Sequence, residues 1–202
     1  MTVPPSPAPG EGRGEGRALF PEGMIEAVDD LGLFIKATDF AALKHRMQRR
    51  KDADASPYIN HPIALARVLH LEGGVDDVEV LCAAILHDTI EDTKTTREEL
   101  EREFGAAIAG IVAEVTDDPK LGKPERKQAQ VDHAPHLSTK AKLVKLADKI
   151  CNLRDMAHHP PHKWDLARRR GYFEWAKLVI DGVRGAHPRL EALFDEAYAG
   201  KP

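Results

Sequence analysis

Apolar residues along this chain recur at spacings of three and four over most of its length, the pattern of helices that bury one face. From Met24 onward it predicts helices over 24–50 with a break at Gly32, then 62–72, 76–89, 95–104, 105–117, 123–133, 138–158, 164–184 and 187–199. Gly73-Gly74, Asp118-Pro119, Ala134-Pro135 and Pro160-Pro161 supply turns between them. Apolar/polar alternation long enough for a sheet is absent, so the expected fold class is all-α with short connections. The opening stretch MTVPPSPAPGEGRGEGR is rich in proline and glycine and poor in bulky apolar residues. Such a stretch cannot bury enough surface to order itself, so a disordered tail over 1–20 is expected before a single domain over 21–202.

Composition narrows the classes. At 202 residues the chain can bury one full core. A net charge of −4 argues against a general nucleic-acid or anionic-membrane surface, so any phosphate binding must come from local basic clusters. No apolar run approaches the roughly 20 residues of a spanning helix, and the N-terminus lacks the apolar core of a signal peptide. The expected location is cytoplasmic. Cys82 and Cys151 sit among Leu, Ala and Ile and read as small buried thiols.

The candidate chemistry starts in LCAAILHDTIEDT. On a continuous helix, the spacing of four stacks His87 with Glu91 and Asp88 with Asp92 in neighbouring polar columns, with about 6 Å between side chains. Polar groups at the end of an apolar segment cost desolvation energy unless a partner compensates them, and a cation held by imidazole and carboxylate does so. In SPYINHPIALARVL, Pro62 fits the first position of a helix and leaves His61 at its entrance. In KAKLVKLADKICNLRDMA, Leu143, Leu146, Ile150 and Leu153 form a core face, interrupted at its edge by Asp148 with Asn152 at i+4. His61, His87, Asp88 and Asp148 thus offer two nitrogens and two or more oxygens, suited to a borderline or hard divalent ion with open positions for water and substrate. Glu91 and Asp92 stand beside them as an acid/base pair.

Arg46, Arg49 and Arg50 fall at i, i+3 and i+4 of a predicted helix end, with Lys51 next, and taken by pattern alone read as a solvated face. Lys142, Lys145 and Lys149 form a second basic stripe, expected to face solvent except where Lys145 approaches the cleft edge. Among the clustered aromatics, Phe173 and Trp175 read as core anchors and Tyr172 as the better candidate for a base-facing role. The loop histidines His133, His136, His158, His159 and His162 are expected in solvent, and His45, His70 and His187 lack a partner pattern.

The order His61, His87-Asp88, Asp148 resembles the H…HD…D signature of HD-superfamily phosphohydrolases. The words RRKDADASPYINHP, AAILHDTIEDT, VAEVTDDPKLGKPERK, KLVKLADKICNLRDM and YFEWA resemble, in order, the hydrolase domain of RelA/SpoT homologues, and most closely the small alarmone hydrolases of the metazoan SpoT homologue type. The resemblance covers about residues 31–196. It implies an HD-domain helical fold and metal-dependent hydrolysis of ppGpp or pppGpp at the 3′-pyrophosphate, releasing pyrophosphate with GDP or GTP. The chain's length leaves no room for a synthetase module. It further implies one Mn²⁺ on His61, His87, Asp88 and Asp148, catalysis by Glu91 and Asp92, and orientation by Asn152. Arg50 and Lys51 would lie at the pyrophosphate, with Lys123, Lys145, Arg168 and Tyr172 contributing to substrate binding. NADPH 2′-phosphatase activity, or another HD-type nucleotide phosphohydrolase, is the alternative, and a homo-oligomer is compatible with the reading. The acidic Asp52-Ala53-Asp54-Ala55 is a variant of a substrate-side loop and bears on substrate preference.

Overall fold

The computed structural model describes residues 29–202, and within them the architecture is helical with no strand. The expected tail and the start of the first predicted helix, 24–28, lie outside the described residues. The helices are α1 (Asp30–Lys44), α2 (Asn60–Arg67), α3 (Val78–Leu86), α4 (Thr89–Asp92), α5 (Arg97–Val115), α6 (Lys123–His133), α7 (Thr139–His158), α8 (Leu166–Asp181) and α9 (Pro188–Ala199). Side-chain caps start many of them: Asp29, Asp77, Thr96, Ser138 and Asp165 each accept a backbone N–H of the first turn.

Two helices make the centre. α3 is buried on every side, through Val80 and Cys82 to Leu86, and packs against α1, α2, α5 and α7. α7 buries Val144, Leu146, Ile150 and Leu153 and packs against α2, α3, α5, α8 and α9. The C-terminal end of α3 and the middle of α7 are therefore held together by core on both sides, and the site lies where they meet. Cys82 and Cys151 are free and buried, as expected, and burial pushes both thiols up to about 12.

Three boundaries differ from the periodicity. α1 runs through Gly32 without a break, because Asp29 caps the Gly32 N–H at 2.8 Å, and it ends at Lys44 rather than 50. Residues 45–59 instead fold back on themselves, with Arg50 N–H bonded to the Ser56 carbonyl and Tyr58 N–H to that of Gln48. Arg46, Arg49 and Arg50 thus do not share a helical face. The second difference is at His87-Asp88: α3 stops at Leu86, Asp88 takes φ −99° and ψ 2°, and the chain resumes as α4. The two polar columns expected of one continuous helix are broken there, and Thr89 Oγ1 donates to the Leu86 carbonyl at 2.7 Å to satisfy the freed end. Third, the helix expected over 62–72 keeps its end but changes type, α2 passing after Arg67 into a π-helical turn, Val68–Gly73, closed by Gly74 at φ 78°.

The break anticipated between 104 and 105 exists as a kink at Gly105, with φ 84° and ψ 163°. A Cβ there would meet nothing within 4 Å, so the cost of a side chain is purely conformational. Gly105→Ala is expected to lose about 1–3 kcal/mol, read as a lowered urea midpoint with unchanged slope.

Candidate active site

The structure brings His61, His87 and Asp88 together: each offers a ligand atom, and these atoms lie within 4.8 Å of one another. Both rings are buried, at 4% and 6% exposure. Their centroids are 5.3 Å apart. Asp148, from the middle of α7, lies beside them, with Oδ1 3.3 Å from His61 Nε2. No other group of three ligand-type side chains converges in this way among the described residues.

Each candidate ligand is held from behind. His87 Nδ1 meets the Ala84 carbonyl at 2.9 Å, which fixes the ring and turns Nε2 toward Asp88 at 2.9 Å. The Tyr58 hydroxyl donates to Asp88 Oδ2. Asp148 accepts from Asn152 Nδ2 at 2.5 Å and pairs with Lys149 Nζ at 2.9 Å. His61 Nδ1 is buried with no hydrogen-bond partner, while Nε2 faces Asp148. Burial keeps His61 below the ordinary imidazole value. Burial acts the same way on His87, but the Asp88 carboxylate outweighs it and raises the ring to about 9. Asp88 and Asp148 are both held ionised against their burial, Asp88 by His87 and Asp148 by Lys149 and the histidines. Two imidazoles and one ionised carboxylate within 4.8 Å of one another, with the Asp148 carboxylate adjoining at His61 but outside that group of three, fit a divalent cation by charge and by donor type.

The kink after α3 sends Glu91 and Asp92 to different walls. Glu91 lines the same cleft as His87, Asp88, Lys145 and Asp148, with a side chain 26% exposed. It accepts the Asp117 N–H at 3.3 Å and lies 3.5 Å from Arg126. Burial, with the charges of Asp117 and Asp88, raises Glu91 to about 7. Asp92 is exposed and accepts from Gln48 Nε2 at 2.8 Å.

The basic residues divide as well. Arg50 pairs with Asp155 and is 18% exposed, whereas Lys51 and Lys123 are exposed. Lys145 lines the cleft, is 7% exposed and donates to the Val115 carbonyl at 3.2 Å. Lys149, expected in solvent, is 3% exposed: it is drawn inward by Asp148 and by the face of Trp175, 4.4 Å from its nitrogen. The sequence held a sign of this, since Lys149 falls three after Leu146 and four before Leu153, within the apolar stripe.

Tyr172 stands between Trp164 and Trp175, at 5.9 and 5.2 Å between ring centroids, and Arg168 covers Trp164 at 4.1 Å. Phe173 is core, as expected. Trp175 instead sits at the core's edge, its indole N–H donating to the Lys127 carbonyl at 2.9 Å. Gln130 and Asp117, bonded to each other at 2.8 Å, were not singled out by sequence, because nothing local marks them. His45, which had no partner pattern, is buried and bonded to Gln48. The loop histidines are exposed as expected; His158, His159 and His162 line a separate groove of about 400 Å³ with Asp52, Asp54 and Trp164.

A family model described as an HD domain matches residues 37–178. A protein of Xenopus tropicalis named guanosine-3′,5′-bis(diphosphate) 3′-pyrophosphohydrolase MESH1 is 53% identical over 169 residues, covering 84% of this chain and 94% of that one. The Homo sapiens protein of the same name is 55% identical over 157 residues, covering 78% and 88%. A solved structure described as "a metazoan ortholog of SpoT hydrolyzes ppGpp and plays a role in starvation responses" superposes with a TM-score of 0.81 at 43% identity, over 90% of this chain and 97% of that one.

Proposed function

From the premise that this chain belongs to the HD-domain family, among relatives named guanosine-3′,5′-bis(diphosphate) 3′-pyrophosphohydrolases, we propose how its residues divide that reaction. The protein is a metal-dependent hydrolase of ppGpp: water cleaves the bond between the ribose 3′-oxygen and the pyrophosphoryl group, giving GDP and pyrophosphate. With pppGpp the nucleotide product is GTP. The observation that carries the assignment of roles is the convergence of His61, His87 and Asp88 within 4.8 Å, with Glu91 raised to about 7 in the same cleft.

His61, His87, Asp88 and Asp148 hold the cation; the donor set suits a borderline or hard divalent ion, and within that class Mn²⁺ is our choice from the family resemblance. When bound, the ion supplies Lewis-acid stabilisation of phosphate charge and makes water a stronger acid. Glu91 keeps its proton to neutral pH and gives it to the departing ribose 3′-oxygen, while Asp92 takes a proton from the attacking water. This divides between two walls the work that the sequence assigned to Glu91 and Asp92 jointly. Lys145 places a cation inside the cleft, and Arg50, Lys51 and Lys123 carry charge at its rim for the pyrophosphate and the 5′-phosphates. Asn152 orients Asp148. Tyr172, with Arg168 beside it, offers an aromatic and cationic wall to the nucleoside. We place the protein in the cytoplasm; no helix among the described residues is long and apolar enough to cross a membrane.

Purified protein incubated with ppGpp and Mn²⁺ is expected to release pyrophosphate and GDP in equal amounts, and to release neither after chelation. NADPH assayed beside it reads the alternative activity. Failure to release pyrophosphate with any divalent ion would overturn the reading.

A further inference from the structure

His45 is the most deeply buried histidine outside the ligand cluster, 2% exposed at the end of α1, and the reaction as described leaves it without a task. Its Nδ1 lies 2.6 Å from Gln48 Oε1, and the same amide's Nε2 lies 2.8 Å from Asp92 Oδ2. The directions in this chain are fixed by chemistry. An ionised carboxylate only accepts, so the Gln48 NH₂ must face Asp92; the amide oxygen then faces His45, and the imidazole must donate from Nδ1. The backbone locks the arrangement in place. Gln48 N–H donates to the His45 carbonyl at 2.8 Å, and the Gln48 carbonyl accepts from Tyr58 N–H at 3.2 Å. The Tyr58 ring packs on the imidazole at 4.9 Å between centroids, and its hydroxyl reaches Asp88.

We propose that His45 and Gln48 are positioning residues for Asp92, holding its carboxylate at the one orientation from which it takes the proton of the attacking water. The proposal rests on the reading of Asp92 as the base. Two observations support it beyond the hydrogen bonds themselves. Asp92 is exposed, so an untethered carboxylate would spread over several rotamers, and a general base works only within hydrogen-bond reach of its proton. His45 Nε2, moreover, is buried with no partner, so this imidazole costs the fold something that a phenyl ring in its place would not.

A double-mutant cycle on kcat, with KM, Mn²⁺ affinity and melting temperature measured for each protein, tests this. Gln48→Met keeps the side chain's length and removes both polar ends; it is expected to lower kcat about 10- to 100-fold, the range seen when the outer support of an active group is removed. KM and Mn²⁺ affinity stay within twofold. His45→Phe keeps the packing on Tyr58 and should give the same loss of kcat with no drop in melting temperature. Asp92→Asn loses more on its own, and adding Gln48→Met to it costs nothing further. A merely structural role predicts lowered melting temperatures and losses that multiply in the double variant; that result, or a Gln48→Met protein with wild-type kcat, overturns the proposal. Asp92→Asn with wild-type kcat overturns instead the assignment of the base, and the two failures are told apart by that single variant.

Discussion

Asp148→Asn is expected to lose bound metal and ppGpp turnover together. The carboxylate sits in the middle of the most extensively packed helix, 3.3 Å from His61, and supplies one of two negative charges at the cluster. Removal of a ligand should weaken binding by more than the roughly 100-fold that loss of an outer support costs. Asparagine is preferable to alanine because its amide oxygen can still accept from the Lys149 ammonium, 3% exposed, whose counter-charge is lost with either substitution. Metal content after dialysis, read beside turnover and a melting curve, checks the result; an Asp148→Asn protein that retains both metal and activity would remove it from the ligand set. His87 adds a pH dependence. With Asp88 holding it at about 9, cation entry displaces its proton, so affinity should rise with pH through neutrality toward that value, as titration calorimetry at several pH values would read.

Glu91→Gln is expected to abolish turnover while the metal stays bound. Glu91 is not among the converging donors, and its proton is what the leaving oxygen requires. In the wild-type protein the alkaline limb of the kcat/KM profile, which reports the free enzyme, should fall near pH 7, where Glu91 loses that proton. The same shift acts on stability. An unfolded glutamate titrates near its ordinary value of 4.5, the folded one near 7, so the folded state holds the extra proton between these values. The protein is therefore favoured at low pH with respect to this group, and that contribution is lost as pH rises through 7. Relieving the charge should make Glu91→Gln more stable than wild type at pH 8, by roughly 1–2 kcal/mol after allowing for partial exposure. A variant that is inactive, metal-loaded and more thermostable would fit all three expectations. Wild-type turnover in Glu91→Gln would end the assignment of Glu91 as the acid.

The ligand residues were legible because they interrupt apolar periodicity. His87-Asp88 closes the most hydrophobic helix of the chain, His61 opens another, and Asp148 lies at the edge of a third helix's core face, so each is a polar group where burial would be costly without a partner. Glu91 and Asp92 were legible as a candidate acid/base pair but not as individuals. Their separation depends on the break at Asp88, and nothing in HDTIEDT requires one, since every residue there tolerates a helix. Lys149 was misplaced by charge counting because the attraction of Asp148 and the Trp175 face outweighs the preference of an ammonium for water, and Trp175 comes from a helix far along the chain. His45 and Gln48 were invisible for a related reason: each is ordinary within α1 and the turn after it, and acquires meaning only against Asp92, which is 44 residues away from Gln48.

The sequence by itself determined an all-helical chain, most of its turns, the two buried thiols and the family resemblance with its ligand types, because spacing and side-chain chemistry are local quantities. Only the packed chain shows which carboxylate leans into the cleft, which lysine is buried and which histidine meets Gln48. Those outcomes follow from burial and Coulomb fields summed over α1, α3, α4, α5, α7 and α8 at once, and no single stretch of chain carries that sum.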